Sequence, residues 1–208
     1  MCENGKESRA KVAVFVSGSG SNLQALIDAS ASGALSADIS LVISNRRKAF
    51  GVERAATAGI DTFVFKRKKY PTPEEADLAL ARVLREHEID YIALAGYLSL
   101  IPLPVLKRYQ NKIVNIHPAP LPQFGGKGMY GSNVHEAVLS AGVESSGPTV
   151  HIVDEIYDNG AVLAHQPVEV ISGDTPESLA ARVLKAEHQL YAKVLDKLIR
   201  GEYHLNHE

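Results

Sequence analysis

The run Lys11-Val12-Ala13-Val14-Phe15-Val16 has no polar residue after its first position, so a strand built from it has no face to give to water. Such a strand belongs in the middle of a sheet covered on both faces, the arrangement of parallel α/β folds. The next residues fit that demand: a Gly/Ser loop, a helical pattern from Leu23 to Ser32, and a second β-branched run from Ile39 to Ile43. The cycle then repeats. Phe50 to Ala58 reads as a helix stopped by Gly59, the residue that most easily takes a left-handed cap, and Thr62 to Phe65 as a strand. Pro73 to His87 is a helix that opens on proline and two acids, as the free amides and dipole of a first turn favour. Tyr91 to Ala95 is a fourth strand and Pro102 to Tyr109 a short helical piece. Lys112-Ile113-Val114 is a fifth strand, carrying Asn115 and His117 into the turn Pro118-Ala119-Pro120-Leu121-Pro122. The alternation predicts an α/β, Rossmann-like fold: a mostly parallel central sheet with helices on both faces.

Beyond this turn the pattern changes. Gly125 to Gly131 is too rich in Gly for regular structure and too long for a tight turn, and reads as a mobile binding loop. A helix from Asn133 to Ala141 follows, then a strand pair, Thr149 to Val153 and Val162 to Val168, flanking the acidic turn Asp154 to Gly160. The final element is a long helix, Pro176 to Arg200, with an apolar stripe at Leu179, Val183, Leu190, Tyr191, Val194 and Leu198. Residues 1–10 read as a frayed tail, 11–201 as a single domain and 202–208 as a second tail.

A chain of 208 residues with 45% hydrophobic and 22% charged residues is globular and long enough for one sizeable core. No apolar run approaches the roughly 20 residues of a membrane span, and a net charge of −2 argues against non-specific nucleic-acid binding. The one cysteine, Cys2, allows no internal disulfide and no cysteine metal site, and points to a reducing cytoplasm. None of the eight His forms a His-x-x-x-His pair, so no metal is expected.

Chemistry is expected at five places. Asn115 and His117, two apart on an extended segment, point to one side of the sheet at the carboxyl end of their strand, where ligands of open α/β sheets bind. An amide there can donate to a developing oxyanion, and an imidazole with an ordinary pKa near 6.5 can carry a proton. Ser17-Gly18-Ser19-Gly20-Ser21-Asn22 lets backbone approach a phosphate at a helix amino terminus. It departs from a dinucleotide fingerprint, since position 23 is Leu and the second strand ends in Ser44-Asn45-Arg46-Arg47 without an acid. One carboxylate of the Asp154 to Gly160 turn beside His117 would raise its pKa and fix its tautomer; the spacing does not choose between Asp154 and Asp158. Glu187 falls on the apolar stripe of the last helix, and Tyr97-Leu98-Ser99-Leu100-Ile101 offers an apolar wall for a flat heterocycle.

Together these segments resemble the folate-dependent formyltransferase family, in particular its phosphoribosylglycinamide formyltransferases, which act in purine synthesis. The motifs are Ser17-Gly18-x-Gly20-Ser21-Asn22-Leu23-Gln24-Ala25, Ala49-Phe50-Gly51-x-Glu53-Arg54-Ala55, Leu94-Ala95-Gly96-Tyr97, Asn115-Ile116-His117-Pro118, Val150-His151-x-Val153 with Asp154-Glu155-x-x-Asp158-x-Gly160, and Glu187-His188. The resemblance implies transfer of a formyl group from the co-substrate 10-formyltetrahydrofolate to an amine. By it, Gly20, Ser21 and Asn22 hold the phosphate of glycinamide ribonucleotide and Glu187 its ribose. Arg67 and Leu98, Ser99, Leu100 and Ile101 meet the folate, and the loop Asp154, Glu155, Ile156, Tyr157 and Asp158 closes on the pterin. Asn115 stabilises the oxyanion, His117 is general acid and base, and Asp158 raises the pKa of His117. Two segments depart from the bacterial pattern. The Gly125 to Gly131 loop carries Lys127 and Tyr130, and Lys66 to Pro73 differs in length, which leaves Lys68 and Lys69 as alternatives to Arg67.

The implied partners are small molecules, without nucleic acid or membrane, on a monomer or homodimer. Alternatives are a formyltetrahydrofolate hydrolase or a methionyl-tRNA formyltransferase, each of which carries an additional domain for which the chain is expected to have no room. An NADP-binding reductase using Arg46 and Arg47, and a non-catalytic nucleotide-binding module, are further alternatives.

Overall fold

A computed structural model describes residues 9–205. Positions 1–8 of the expected amino-terminal tail, Cys2 among them, lie outside the described residues. Arg9 is already held, its guanidinium donating to the carbonyls of Leu35 (2.6 Å) and Ala37 (2.7 Å).

In chain order the elements are β1 (Ala10–Val16), α1 (Ser21–Ser32), β2 (Ala37–Ser44), α2 (Phe50–Thr57), β3 (Asp61–Val64), a single 3-10 turn (Arg67–Lys69), α3 (Pro73–Glu86), β4 (Tyr91–Leu94), α4 (Leu103–Arg108) and β5 (Ile113–His117). Then come α5 (Ser132–Ser140), β6 (Ser145–Ser146), β7 (Thr149–Ile152), β8 (Val162–His165), β9 (Val168–Glu169) and α6 (Pro176–Ile199). Seven strands form the main sheet in the order β3-β2-β1-β4-β5-β7-β8. The first five run parallel, as the alternation predicts, and β7 and β8 extend the sheet antiparallel. The expected strand over Val162 to Val168 is divided at Gln166-Pro167. Proline has no N–H for a ladder, so the chain leaves the main sheet there, and β9 pairs with β6 in a separate two-stranded sheet.

The alternation of β1 divides the core. Val12, Val14 and Val16 pack on one face with Leu23, Leu26, Tyr191 and Leu195, from α1 and α6. Ala13 and Phe15 pack on the other with Leu80, Leu84 and Val105, from α3 and α4. Every side chain of Val12 to Val16 is fully buried, as a strand without a polar face requires. Past the last helix, Tyr203 and Leu205 still pack against the first of these clusters. A third cluster, Ala119, Phe124, Val134, Val138, Leu179 and Val183, joins the Pro-rich turn to α5 and α6.

Two features of this fold make a crevice. Strand order reverses between β1 and β4, so the loops after them diverge to opposite sides of the sheet, which is where open α/β sheets bind ligands. The loops remain pinned at their base: Ser17 N–H donates to the Gly96 carbonyl (3.2 Å) and Leu98 N–H to the Ser17 hydroxyl (3.0 Å). Helix α6 closes one side. Its fully buried Tyr191 reaches the carbonyls of Leu94 (2.8 Å) and Val114 (3.1 Å) with its hydroxyl, fixing the helix against β4 and β5. Among the described residues, no helix is long and apolar enough to cross a membrane.

Candidate functional site

The crevice is a cavity of about 680 Å³. Asn115, His117, Asp158, Asn22, Glu187 and Leu98 to Ile101 all line it, so residues from β5, the acidic loop, α1, α6 and the loop after β4 meet in one space.

At its centre, His117 is 3% exposed. Its Nε2 lies 2.8 Å from the carbonyl of Phe124, a group that only accepts, so this nitrogen carries a proton. The other ring nitrogen, Nδ1, faces Asp158 Oδ2 at 3.5 Å, and it is the atom free to gain or lose a proton. Burial pulls the His117 pKa down and the Asp158 carboxylate pushes it up, with the Phe124 hydrogen bond in support; the balance is downward. Asp158 acts on His117 in the direction the resemblance implies, but desolvation of the ring outweighs it and the net shift is downward.

Asp158 is held from several sides. Its Oδ2 accepts from the backbone N–H of Gly126 (3.0 Å) and its Oδ1 from Asn115 Nδ2 (3.3 Å), while His151 Nε2 stands 3.5 Å from Oδ1. Burial works against the charge, yet the neighbouring His151 and His117 rings and the Gly126 amide outweigh it and hold the carboxyl below its ordinary value. The geometry also separates the two acids of this turn. Asp154 caps its own loop, accepting from Ile156 N–H (2.8 Å) and Asn159 Nδ2 (2.8 Å), an Asx-type use. Asp158 faces the imidazoles.

The walls differ by side. On one, Leu98, Leu100, Ile156 and Tyr157 are all exposed large apolar groups, Leu100 at 51% and Ile156 at 63%. Within the Leu98 to Ile101 segment only Ile101 is buried, so core packing does not account for the rest. Asn45 reaches this lip and donates to the Ser99 hydroxyl (3.0 Å). On the other side, Asn22 Nδ2 donates to Glu187 Oε2 (2.5 Å). Burial raises the Glu187 pKa more than this bond lowers it. Gly20 adopts a left-handed conformation (φ 70) as the N-cap of α1 and supplies no side-chain cap, so the first amides of the helix have no side chain over them. A Cβ at Gly20 would lie 2.6 Å from Gly51 Cα, so close approach of α2 explains the glycine.

Not every expected residue is brought here. Gly20 and Ser21 stand beside Asn22 but do not line the cavity, and Glu155 is exposed outside it. Arg67 lies on the 3-10 turn after β3, outside the residues that line the cavity, and its guanidinium pairs with Asp77 (2.7 Å) on α3. The Gly125 to Gly131 loop does line the cavity from Gly126 onward, with Lys127 and Tyr130. Two buried residues without an expected role also face the cavity, His151 and His135. His135 Nδ1 has no hydrogen-bond partner. Its signal in the sequence is only a His on the inward face of a short helix, and that of His151 only its place in a β-branched run. Among the described residues, no group of three or more His, Cys, Asp or Glu is arranged to hold a metal ion.

Residues 10–195 match the family model described as formyl transferase. The chain is 45% identical over 190 residues to a chloroplastic phosphoribosylglycinamide formyltransferase of Vigna unguiculata, covering 91% of this chain and 61% of that protein. The corresponding protein of Arabidopsis thaliana is 47% identical over 188 residues, covering 90% of this chain and 64% of the relative. The chain thus spans less than two thirds of the length of these curated relatives. Among solved structures, glycinamide ribonucleotide transformylase 1 from Symbiobacterium toebii superimposes with a TM-score of 0.89 at 35% identity, covering 97% of this chain and 92% of that one.

Proposed function

The chain belongs to the formyl transferase family, and from that premise we propose that it transfers the formyl group of 10-formyltetrahydrofolate to the amine of phosphoribosylglycinamide. The products are N-formylglycinamide ribonucleotide and tetrahydrofolate, a step of purine (IMP) synthesis. The observation that carries this reading is the meeting of Asn115, His117 and Asp158 between an apolar-lipped wall and a buried Asn22–Glu187 pair. The first wall fits a pterin, with Leu98 to Ile101 and the Asp154 to Asp158 loop on either side. The pair, beside the uncapped start of α1 with Gly20 and Ser21, fits a ribose and its phosphate. The setting that goes with this chemistry is a reducing cytoplasm, supported by the single cysteine in 208 residues.

The lone pair of the amine attacks the formyl carbon, and the carbonyl electrons move onto oxygen. Asn115 supplies an N–H to that oxyanion. His117 takes the proton of the attacking nitrogen at Nδ1 and returns it to the folate nitrogen as the old carbon–nitrogen bond breaks. The downward shift of His117 suits the first half of this cycle, since the ring begins as a neutral base. Asp158 suits the second, because its charge stabilises the imidazolium that the transfer creates.

The test is an absorbance assay for tetrahydrofolate release with and without phosphoribosylglycinamide. Release that requires the ribonucleotide supports the reading, and release without it makes the chain a hydrolase. His117→Ala is expected to keep its circular dichroism spectrum and lose about a hundredfold or more in turnover; near wild-type turnover sinks the mechanism.

A further inference from the structure

His151 lies on β7 directly opposite Asn115 on β5, in the antiparallel register Asn115↔His151. It is 2% exposed. Side chains opposite one another on a pair of strands share a face and stand close enough to interact, and here they meet: Asn115 Nδ2 lies 3.1 Å from His151 Nε2. The other ring nitrogen, Nδ1, lies 2.8 Å from the carbonyl oxygen of Ile152. That oxygen accepts only, so Nδ1 bears the proton, and in the neutral ring Nε2 presents a lone pair. A lone pair can hold the Asn115 amide in only one sense. With the amide turned over, its oxygen would face both this lone pair and the Asp158 carboxylate.

We propose that His151 is a positioning residue: by accepting one hydrogen of the Asn115 amide it fixes the nitrogen of that amide, and not the oxygen, toward the reacting carbonyl. Both hydrogens of Asn115 Nδ2 are engaged, one by His151 at 3.1 Å and one by Asp158 Oδ1 at 3.3 Å. The hydrogen on the longer contact is the one the oxyanion takes over from Asp158, and His151 keeps the other throughout. The amide is thereby oriented before substrate arrives, so turning it is no part of the barrier. The Ile152 carbonyl is the orienting group behind His151, as second partners of catalytic and metal-bound imidazoles fix the tautomer elsewhere.

The kinetic arm rests on the formyl transfer reading; the spectroscopic arm does not. Long-range nitrogen–proton spectra of the full chain labelled in histidine, assigned against His151→Gln, should give His151 as the neutral tautomer protonated at Nδ1. A proton on Nε2 overturns the proposal, whatever reaction the protein performs. In kinetics, His151→Gln keeps a side-chain acceptor where Nε2 stood and should retain turnover within a few fold. His151→Leu removes the acceptor and should lose about ten- to a hundredfold in kcat, with both KM values unchanged and the circular dichroism spectrum intact. Equal losses in the two variants, or a loss confined to KM, overturn it. Where His151→Leu fails to fold, the tautomer and the His151→Gln turnover decide. Absence of formyl transfer by the unsubstituted chain, with the Nδ1 tautomer present, refutes the reaction and leaves the positioning bond standing.

Discussion

Asp158 and Glu187 line one cavity and are driven in opposite directions. Asp158 meets two imidazoles, an amide side chain and a backbone N–H, and is held below its ordinary pKa despite burial. Glu187 meets the single amide of Asn22, and burial wins. Desolvation opposes charge in both, so what differs is the number of donors and cations around each. In the proposed reaction, a richly satisfied carboxylate supplies a standing charge for proton transfer at His117. A sparsely satisfied one retains free oxygen lone pairs, which hydroxyl groups of a ligand can use.

The largest expected effect tests the first of these roles. Asp158→Asn keeps the shape and removes the charge, so the His117 imidazolium loses its counter-charge, and kcat should fall about a hundredfold or more. The pH profile of kcat should shift to lower pH, because the upward push on His117 is gone. A variant with unchanged kcat would erase the distinction between the two carboxylates. A smaller effect is expected at the second site. Glu187→Gln keeps one acceptor oxygen, and the KM for the ribonucleotide should rise about tenfold, equivalent to ~1.4 kcal/mol, with kcat within a few fold of wild type. An equal fall in kcat would show that Glu187 belongs to the chemistry.

The smallest effect is on stability. His117, His135, His165 and His188 are all lowered, chiefly by burial, below the ordinary 6.5. The unfolded chain therefore binds more protons than the folded one below about pH 6.5. Their contribution is complete above that value and lost as pH falls through the folded pKa values. Glu187 has the opposite sign: its raised pKa gives stability present below 4.5 that is lost as pH rises through the folded value. Urea denaturation at pH 7.5 and 5.5 should show a loss on the order of 1 kcal/mol on acidification. The loss should be steeper in Glu187→Gln, which lacks the opposing group; an unchanged slope would contradict the upward shift of Glu187.

Much of this was legible from residue pattern. The unbroken apolar run of β1, the crossovers and the stripe of α6 follow from periodicity alone, and Asn115 and His117 fall where a strand meets a Pro-rich turn. Other features depend on distances that no local pattern contains. Arg67 looks available for a ligand until α3 brings Asp77 to it. The direction of the His117 shift depends on how deeply the ring is covered, which is a property of the folded whole. His151 is an ordinary member of a β-branched run until the antiparallel register sets it across from Asn115, and spacing alone leaves Asp154 and Asp158 open, a choice made by the family resemblance and given its physical reason by the path of their loop. The sequence showed which groups are present; pairing and burial decided which of them meet.

The Asn22–Glu187 hydrogen bond joins positions 165 residues apart, and it has a consequence for the order in which the protein is made. Domains begin to fold amino end first as they leave the ribosome, so β1, the loop after it and the strand bearing Asn115 and His117 are all synthesised before α6 exists. Until that helix docks and Tyr191 finds the carbonyls of β4 and β5, the nascent chain holds the residues proposed for proton transfer without the side chain proposed to bind the ribose. Binding of the proposed nucleotide thereby depends on the docking of α6, and a ligand present during synthesis stabilises only chains in which that helix has been made.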